Sequence, residues 1–402
     1  MEFSFLKPLI KEAKTKIVFL VMDGIGGLPR DEDNKTELEA ASTPNLDALA
    51  SEGICGLQIP VRSGITPGSG PGHLGVFGYD PVQYQVGRGV LAANGINFDL
   101  QHGDVAARGN FCSIDSEDNV TDRRAGRIST ELNQQLCKLL QEKVNIPGVE
   151  VFIRTVKEHR FLIVFRGKDL SGAIHDTDPQ ELGVKPLRPM ATKSEADRTV
   201  GIVDQFLTQA HDILKDHHPA NMVLLRGFSQ KPSWPHMDEC FGLKSAAIAA
   251  YPMYRGVAKL IGMDVLETGE TINDEFTTLE NHWDEYDFFY IHIKKTDSYG
   301  EDGNFEKKKS VIEEVDAFIP RLRALHPDVI VVTGDHSTPS KMAMHSWHPV
   351  PVLLWSERCR RDNVKTFGER ACITGGLGPR FPAVDLMTLA LANAKRLEKF
   401  GA

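Results

Sequence analysis

Short, unbroken apolar runs alternate along this chain with longer stretches of helical period, an alternation that predicts an α/β protein built on a sheet. Core strands are expected at residues 17–22, 222–225, 288–293, 329–332 and 350–354, four of the five in the second half of the chain. Between the first run and the rest lies a stretch of different texture, roughly residues 95–217, where strand-like segments at 151–155 and 160–165 are flanked by charged turns. It reads as an inserted domain, so residues 1–94 and 218–402 would form one discontinuous domain around it. A length of 402 residues agrees, since it exceeds one small core and favours two domains or one large domain with an insertion. No internal repeat or low-complexity tract interrupts the pattern.

Three of the apolar runs end alike. Residues 17–22 run into Asp23 and Gly24, residues 288–293 into Lys294, Lys295, Thr296 and Asp297, and residues 329–332 into Thr333, Gly334, Asp335 and His336. Ligand sites in open α/β sheets lie beyond the carboxyl ends of the strands, so acids distant in sequence converge there if those strands are neighbours. A single Asp in such a place is commonly a helix N-cap. Three of them with His336, and with His345 and His348 close behind, favour a metal centre. Carboxylates suit Mn2+ and Mg2+, while imidazole draws preference toward Mn2+, Zn2+ or Co2+. Glu301 stands four residues after Asp297, where one helical turn would face both toward one ion; it reads equally as an exposed acid at a helix start.

The loop around Ser69 adds a second chemical element. Pro67, Gly68, Gly70, Pro71 and Gly72 surround this one serine, leaving its hydroxyl accessible and letting a phosphoryl group approach the backbone amides. Ser69 is therefore a candidate nucleophile, because a bound metal ion is a recognised way to activate a serine. Standing alone, the loop would be an ordinary Gly/Ser turn. Gly70, Gly72 and Gly75 match the dinucleotide-binding glycine spacing, but no convincing strand directly precedes them, and neither a phosphate-binding P-loop nor a zincin helix occurs.

Charge and cysteine usage narrow the classes. Lys and Arg number 46 against 55 Asp and Glu, a formal net charge of −9 without a long basic block, which disfavours nucleic acid as a partner. Arginines do cluster locally, at Arg108, at Arg123, Arg124 and Arg127, and at Arg160; such a cluster is either an anion site or a solvated face. Cys55, Cys112, Cys137, Cys240, Cys359 and Cys372 stand far apart and read as reduced thiols. The stretch from Met1 to Pro8 lacks a leader pattern and no run approaches the roughly 20 apolar residues of a membrane span, so a soluble cytoplasmic protein is expected, with no membrane partner.

Taken together, Met22-Asp23-Gly24, Pro67-Gly68-Ser69 with His73-Leu74, Phe77-Gly78-Tyr79-Asp80-Pro81, Gly87-Arg88-Gly89, Lys294-Lys295-Thr296-Asp297 and Thr333-Gly334-Asp335-His336-Ser337-Thr338-Pro339 resemble the archaeal-type 2,3-bisphosphoglycerate-independent phosphoglycerate mutases of the alkaline phosphatase superfamily. The similarity runs over nearly the whole chain, to Leu377-Gly378 and Phe400-Gly401-Ala402. It implies an alkaline-phosphatase-like, mostly parallel mixed sheet flanked by helices, with an inserted α+β cap that binds substrate. It also implies a two-metal phosphotransferase that interconverts 3-phosphoglycerate and 2-phosphoglycerate through a phosphoserine, without 2,3-bisphosphoglycerate as cofactor. Carried over by position, Ser69 would be the nucleophile and touch one ion held by Asp23, Asp335 and His336, while Asp297, residue 301 and His345 would hold the other. The ions would be Mn2+, with Mg2+, Co2+ or Zn2+ as alternatives. Substrate contacts are expected from Arg108, Arg124, Arg127 and Arg160, and from Lys244 and Arg255.

Two positions depart from the family pattern. Glu301, in Gly300-Glu301-Asp302-Gly303, stands where related mutases usually carry histidine, and His348 where they often carry aspartate. A carboxylate at 301 adds negative charge and favours Mn2+ or Mg2+ over softer ions; alternatively that site is impaired, or His348 assists it. The rival readings are a two-metal phosphatase or phosphodiesterase, a homoserine-kinase-like small-molecule kinase, and a non-catalytic metal- or phosphometabolite-binding relative.

Overall fold

The computed structural model describes residues 3–401. Met1 and Glu2 of the N-terminal stretch and Ala402 of the terminal motif lie outside the described residues. The chain divides into two compact units, one formed by the residues up to Gln85 with those from Trp234 onward, the other by Val86–Ser233.

The first unit is built on an eight-stranded sheet in the order Gly378–Pro382, Ile54–Ile59, Val350–Ser356, Val329–Thr333, Ile17–Met22, Phe288–Ile293, Ser245–Ala249, Asp264–Leu266. Every neighbouring pair is parallel except the two made by Val350–Ser356, so the sheet is mixed and mostly parallel. Ile17–Met22 lies near the centre and is buried at all six positions, which is why it reads as an unbroken apolar run rather than an alternation. Val18, Leu20 and Met22 share a core with Leu46 and Leu49 of the helix Pro44–Glu52 and with Ile312 and Val315 of the helix Phe305–Asp316. Full burial of each such side chain contributes roughly 1.5–3 kcal/mol. This packing fixes the ladder: Met22 pairs with Ile293 and Val21 with Thr333, so the residues after all three strands emerge along one edge of the sheet.

The second unit is an antiparallel sheet with helices, as an α+β insertion should be. Val105–Ile114 pairs with Val120–Asp122, Arg160–Arg166 and Met222–Ser229, and Arg160–Arg166 pairs in turn with Glu150–Lys157. Its own core gathers Leu136 and Leu140 of the helix Thr130–Lys143 with Phe206 and Leu214 of the helix Asp197–Leu214. One expected strand changes place. The sequence places residues 222–225 in the first domain, but Met222–Ser229 lies antiparallel on Val105–Ile114 and belongs to the second unit. The helix Arg88–Gly95 belongs there as well: a Cβ on Gly89 would lie 2.2 Å from the Ala106 carbonyl oxygen, and one on Gly87 would lie 2.4 Å from that of Gly227. The glycines of Gly87-Arg88-Gly89 thus permit close packing of backbone on backbone. Among the described residues, no helix is long and apolar enough to cross a membrane.

Candidate active site

Parallel register brings the strand-end acids of the first unit together. Asp23 follows Ile17–Met22 directly, its amide donating to the Ile293 carbonyl at 3.0 Å and its own carbonyl accepting from Thr296 Oγ1 at 2.6 Å. Asp297 lies in the first turn of the helix Lys295–Glu301, and Asp335 and His336 follow Val329–Thr333. All four side chains are buried. Two groups of ligand atoms lie close enough to share an ion, Asp23 with Asp335 and His336, and Asp297 with His336 and His345.

Hydrogen bonds settle which nitrogen each imidazole presents. Thr338 Oγ1 donates to Asp297 Oδ1 at 2.6 Å, so its one proton is engaged and it accepts from His336 Nδ1 at 2.9 Å. That leaves His336 Nε2 facing Asp23 Oδ1 at 3.2 Å and Asp335 Oδ2 at 3.1 Å. Likewise, His345 Nδ1 donates to the Pro67 carbonyl at 2.9 Å and turns Nε2 toward Asp297 Oδ1 at 3.6 Å. Backbone or hydroxyl partners on the far nitrogen are the usual supports of a metal-binding histidine. Asp23 Oδ1 and Asp335 Oδ2 are buried and no hydrogen bond reaches them, which is costly for a carboxylate oxygen. A divalent cation suits both oxygens and the imidazole nitrogen between them.

The excess of negative charge also shifts the proton affinities of the cluster. Burial pulls the His336 imidazole down, yet the carboxylates of Asp335, Asp23 and Asp297 push it up to about 9. Burial raises Asp23, but Lys294, His292 and His336 together hold it well below the usual carboxylate range. Lys294, which bridges Asp23 at 3.1 Å and pairs with Asp297, is held well above its ordinary value by those two acids despite burial.

Ser69 opens the helix Ser69–Val76, with its Oγ 3.3 Å from His336 Nε2. A helix N-terminus favours negative charge at that hydroxyl. The approach is possible because residue 72 is glycine: a Cβ there would lie 2.3 Å from the Asp335 carbonyl oxygen. One turn on, His73 Nδ1 donates to the Ser69 carbonyl at 2.8 Å and lies 3.1 Å from Asp335 Oδ2, which brings the Ser69 helix against the Asp335 loop.

The remaining expectations fare unevenly. Glu301 is exposed at the end of its helix, its Oε1 3.9 Å from His345 Nε2, and it belongs to neither ligand group. His348 turns Nδ1 to Ser346 Oγ at 3.0 Å and also stands outside both groups. Arg255 gives its guanidinium to Glu267. Lys244 is corrected: it precedes the strand Ser245–Ala249, and Ser245 pairs with Phe288, which places it at the amino end of the sheet. At about 3.3 Å per residue, that end is roughly 15–20 Å from the edge where the acids emerge. Its ammonium instead lies over the Tyr286 ring, 4.7 Å from the centroid.

Within the second unit, Arg160, Arg108, Arg124 and Arg127 do share a neighbourhood. The imidazole of buried His159 is depressed to about 2, first by burial and then by those four guanidinium groups. Arg123, beside two of them in sequence, is engaged otherwise, in a two-point pair with buried Asp178 at 2.8 and 2.7 Å.

Of the residues that surround the cluster, the sequence marks His73 and Lys294 only as parts of motifs, and His292 not at all. His292 Nε2 contacts Asp23 Oδ2 at 3.2 Å and its ring stacks on Tyr254 with centroids 3.6 Å apart. The one available signal was a lone polar residue in the apolar run 288–293. His73 had its helical spacing of four from Ser69, and Lys294 its place between a strand end and an acid.

The family model described as 2,3-bisphosphoglycerate-independent phosphoglycerate mutase matches residues 50–221. A protein of Aquifex aeolicus, named a probable 2,3-bisphosphoglycerate-independent phosphoglycerate mutase, is 52% identical over 406 residues, covering 99% of each chain. Among solved structures, a protein from Pyrococcus horikoshii superposes with a TM-score of 0.83 at 28% identity, covering 97% of this chain and 100% of that one. A cofactor-independent phosphoglycerate mutase from Thermoplasma acidophilum superposes with a TM-score of 0.68 at 30% identity, covering 94% and 100%.

Proposed function

Because the chain belongs to the 2,3-bisphosphoglycerate-independent phosphoglycerate mutase family, we propose that it interconverts 3-phosphoglycerate and 2-phosphoglycerate in glycolysis and gluconeogenesis, with Ser69 as the phosphoryl acceptor. The observation that carries the assignment is Ser69 Oγ, at a helix N-terminus, 3.3 Å from His336 Nε2 within the Asp23, Asp335 and His336 group.

Asp23, Asp335 and His336, with Ser69, would hold one divalent ion, and Asp297 and His345, with Glu301 at the margin, the other; Mn2+ is the ion the donor set favours. Bound there, the pair would activate a hydroxyl and stabilise the charge of an in-line phosphoryl transfer. The Ser69 Oγ attacks phosphorus, the bond between phosphorus and the C3 oxygen breaks, and the serine proton ends on that oxygen. The C2 hydroxyl then attacks the phosphoserine, its proton returns to Ser69, and 2-phosphoglycerate leaves. Lys294 supplies a fixed positive charge beside Asp23 and Asp297. Arg108, Arg124, Arg127 and Arg160 bind the carboxylate and phosphate of the glycerate, a task suited to forked guanidinium donors. The inserted unit acts as a cap, because a phosphoserine waiting for glycerate to turn must be kept from water. A cytoplasmic site of action agrees with six free thiols.

The test uses purified protein, Mn2+ and 3-phosphoglycerate, with neither nucleotide nor 2,3-bisphosphoglycerate added. Formation of 2-phosphoglycerate is expected; release of inorganic phosphate alone would replace the mutase by a phosphatase.

A further inference from the structure

Lys308 sits on the helix Phe305–Asp316, fully buried, and has no part in the chemistry above. Its Nζ donates to three carbonyl oxygens, those of Gly24 at 2.9 Å, Gly26 at 3.1 Å and Thr338 at 2.9 Å. An ammonium has three protons, so this one is fully engaged by backbone. Gly24 and Gly26 lie in the turn after Asp23, and Thr338 lies two residues past His336. One buried charge therefore joins the two loops that present these ligand residues.

Both loops are coupled to the ligand side chains. The Gly24 amide donates to Asp335 Oδ1 at 3.2 Å, and Thr338 Oγ1 contacts both Asp297 and His336. The loops also touch: a Cβ on Gly24, whose φ is +62°, would lie 2.4 Å from Thr338 Oγ1. Glu37, buried and 4.0 Å from the ammonium, balances its charge while accepting from the Ser340 amide at 2.7 Å. Burying an ammonium costs several kcal/mol unless it is fully compensated, and a well-packed apolar side chain would hold a helix without that cost. A point charge surrounded by three carbonyls and a carboxylate has the coordination of a bound monovalent cation.

Resting on the reading of Asp23, Asp335, His336 and Asp297 as metal ligands, we infer that Lys308 is a built-in cation that fixes the spacing of the two ligand loops, a positioning residue for the metal centre. Its loss loosens ligands that it never touches.

The experiment compares metal-free wild type, Lys308→Ala and Lys308→Met by calorimetric Mn2+ titration, with circular dichroism and thermal midpoint measured on the same samples. Wild type binds Mn2+, and both variants keep their secondary structure but bind it about 10- to 100-fold more weakly, the usual cost of losing an outer support of a metal site. Propylammonium, which replaces the deleted part of the side chain, restores most of the affinity of Lys308→Ala and none of that of Lys308→Met, whose side chain fills the space. Folded variants with Mn2+ affinity within about twofold of wild type, against the tenfold floor above, would overturn the inference. Failure of both variants to fold would overturn it too, by making Lys308 a support of the fold rather than of the centre. Absence of Mn2+ binding in wild type would instead remove the ligand reading on which the inference rests.

Discussion

The two units each gather like charges, and they do so by opposite means. In the first, Asp23, Asp297 and Asp335 are buried at the ends of parallel strands and held by backbone and hydroxyl hydrogen bonds, with carboxylate oxygens that no donor reaches. In the second, Arg124 and Arg127 are exposed on a turn and Arg108 and Arg160 are half-buried on antiparallel strands, around a histidine kept neutral. Buried carboxylate oxygens without a donor, Asp23 Oδ1 and Asp335 Oδ2, call for a compensating cation, whereas guanidinium groups that reach solvent tolerate an anion that comes and goes. On the proposed reading, the chemistry belongs to the buried cluster and the recognition to the open one.

The sharpest way to break that division is Ser69→Ala. Turnover should fall by about four orders of magnitude or more, as for other covalent nucleophiles. Mn2+ binding and 3-phosphoglycerate binding should change only a few-fold, since the remaining ligands and the arginines are untouched; calorimetry of each measures this. Near-normal turnover would take Ser69 out of the mechanism and leave the acidic cluster without a reaction.

Acid and base should distinguish the units in opposite senses. Glu275, buried in the first unit, is raised from its usual 4.5 to about 9 by burial, so the native state keeps its proton and the unfolded chain does not. Its contribution to stability is whole below about pH 4.5 and is lost as pH climbs toward about 9. His159, in the second unit, is lowered from 6.5 to about 2. Its contribution is whole above pH 6.5 and is lost as pH falls toward about 2. Glu275→Gln should therefore stabilise the protein increasingly from pH 5 to 9, by on the order of 3 kcal/mol at pH 7. Denaturant melts across that range measure it, and a pH-independent difference would show that Glu275 is ionised in the native state.

Replacing an arginine should move binding and leave the metal centre alone. A hydrogen bond to a charged group is worth about 1.5–3 kcal/mol. Arg160→Ala or Arg124→Ala should thus raise KM for 3-phosphoglycerate roughly 10- to 100-fold by the same energies, with Mn2+ affinity unchanged. Arg123→Ala sharpens the contrast, because its guanidinium is committed to Asp178. It should lower thermal stability by uncovering a buried carboxylate while changing KM less than its neighbours do.

The comparison also explains what the chain made legible. Asp23, Asp297, Asp335 and His336 could be read because a parallel sheet sends every carboxyl end to one edge, so strand-end chemistry in sequence becomes proximity in space. An apolar run does not say which sheet it joins, and for that reason residues 222–225 read as a strand of the first unit although they belong to the second. Nor does a residue next to a strand reveal which end of the sheet it occupies without knowing the strand's direction, and Lys244 was misplaced on that account. Lys308 lies between Lys307 and Lys309 and looks like one of three surface lysines; only the helix phase that buries it tells them apart. His292 was hidden for the converse reason, as a polar residue within a core strand whose partner Asp23 is far away in sequence.

The smallest expected effect concerns the margin of the acidic cluster, where the two modes of charge placement meet in one residue. Glu301 is acidic like the buried Asp23, Asp297 and Asp335 but exposed like Arg124 and Arg127, its carboxylate 3.9 Å from His345 Nε2. An exposed charge at that distance contributes about 1 kcal/mol or less. Glu301→Gln should therefore weaken Mn2+ binding at the Asp297 and His345 position by no more than about fivefold, leaving the Asp23, Asp335 and His336 position as it was. Glu301→His, which replaces the carboxylate by imidazole, should turn that position toward Zn2+ and Co2+ because imidazole is the softer donor. Competition titrations of Mn2+ against Zn2+ on the three proteins read both changes. A loss of one whole equivalent of Mn2+ in Glu301→Gln would mean that residue 301 is a full ligand whose side chain turns inward when the ion binds, and would move it from the exposed class of charges to the buried one.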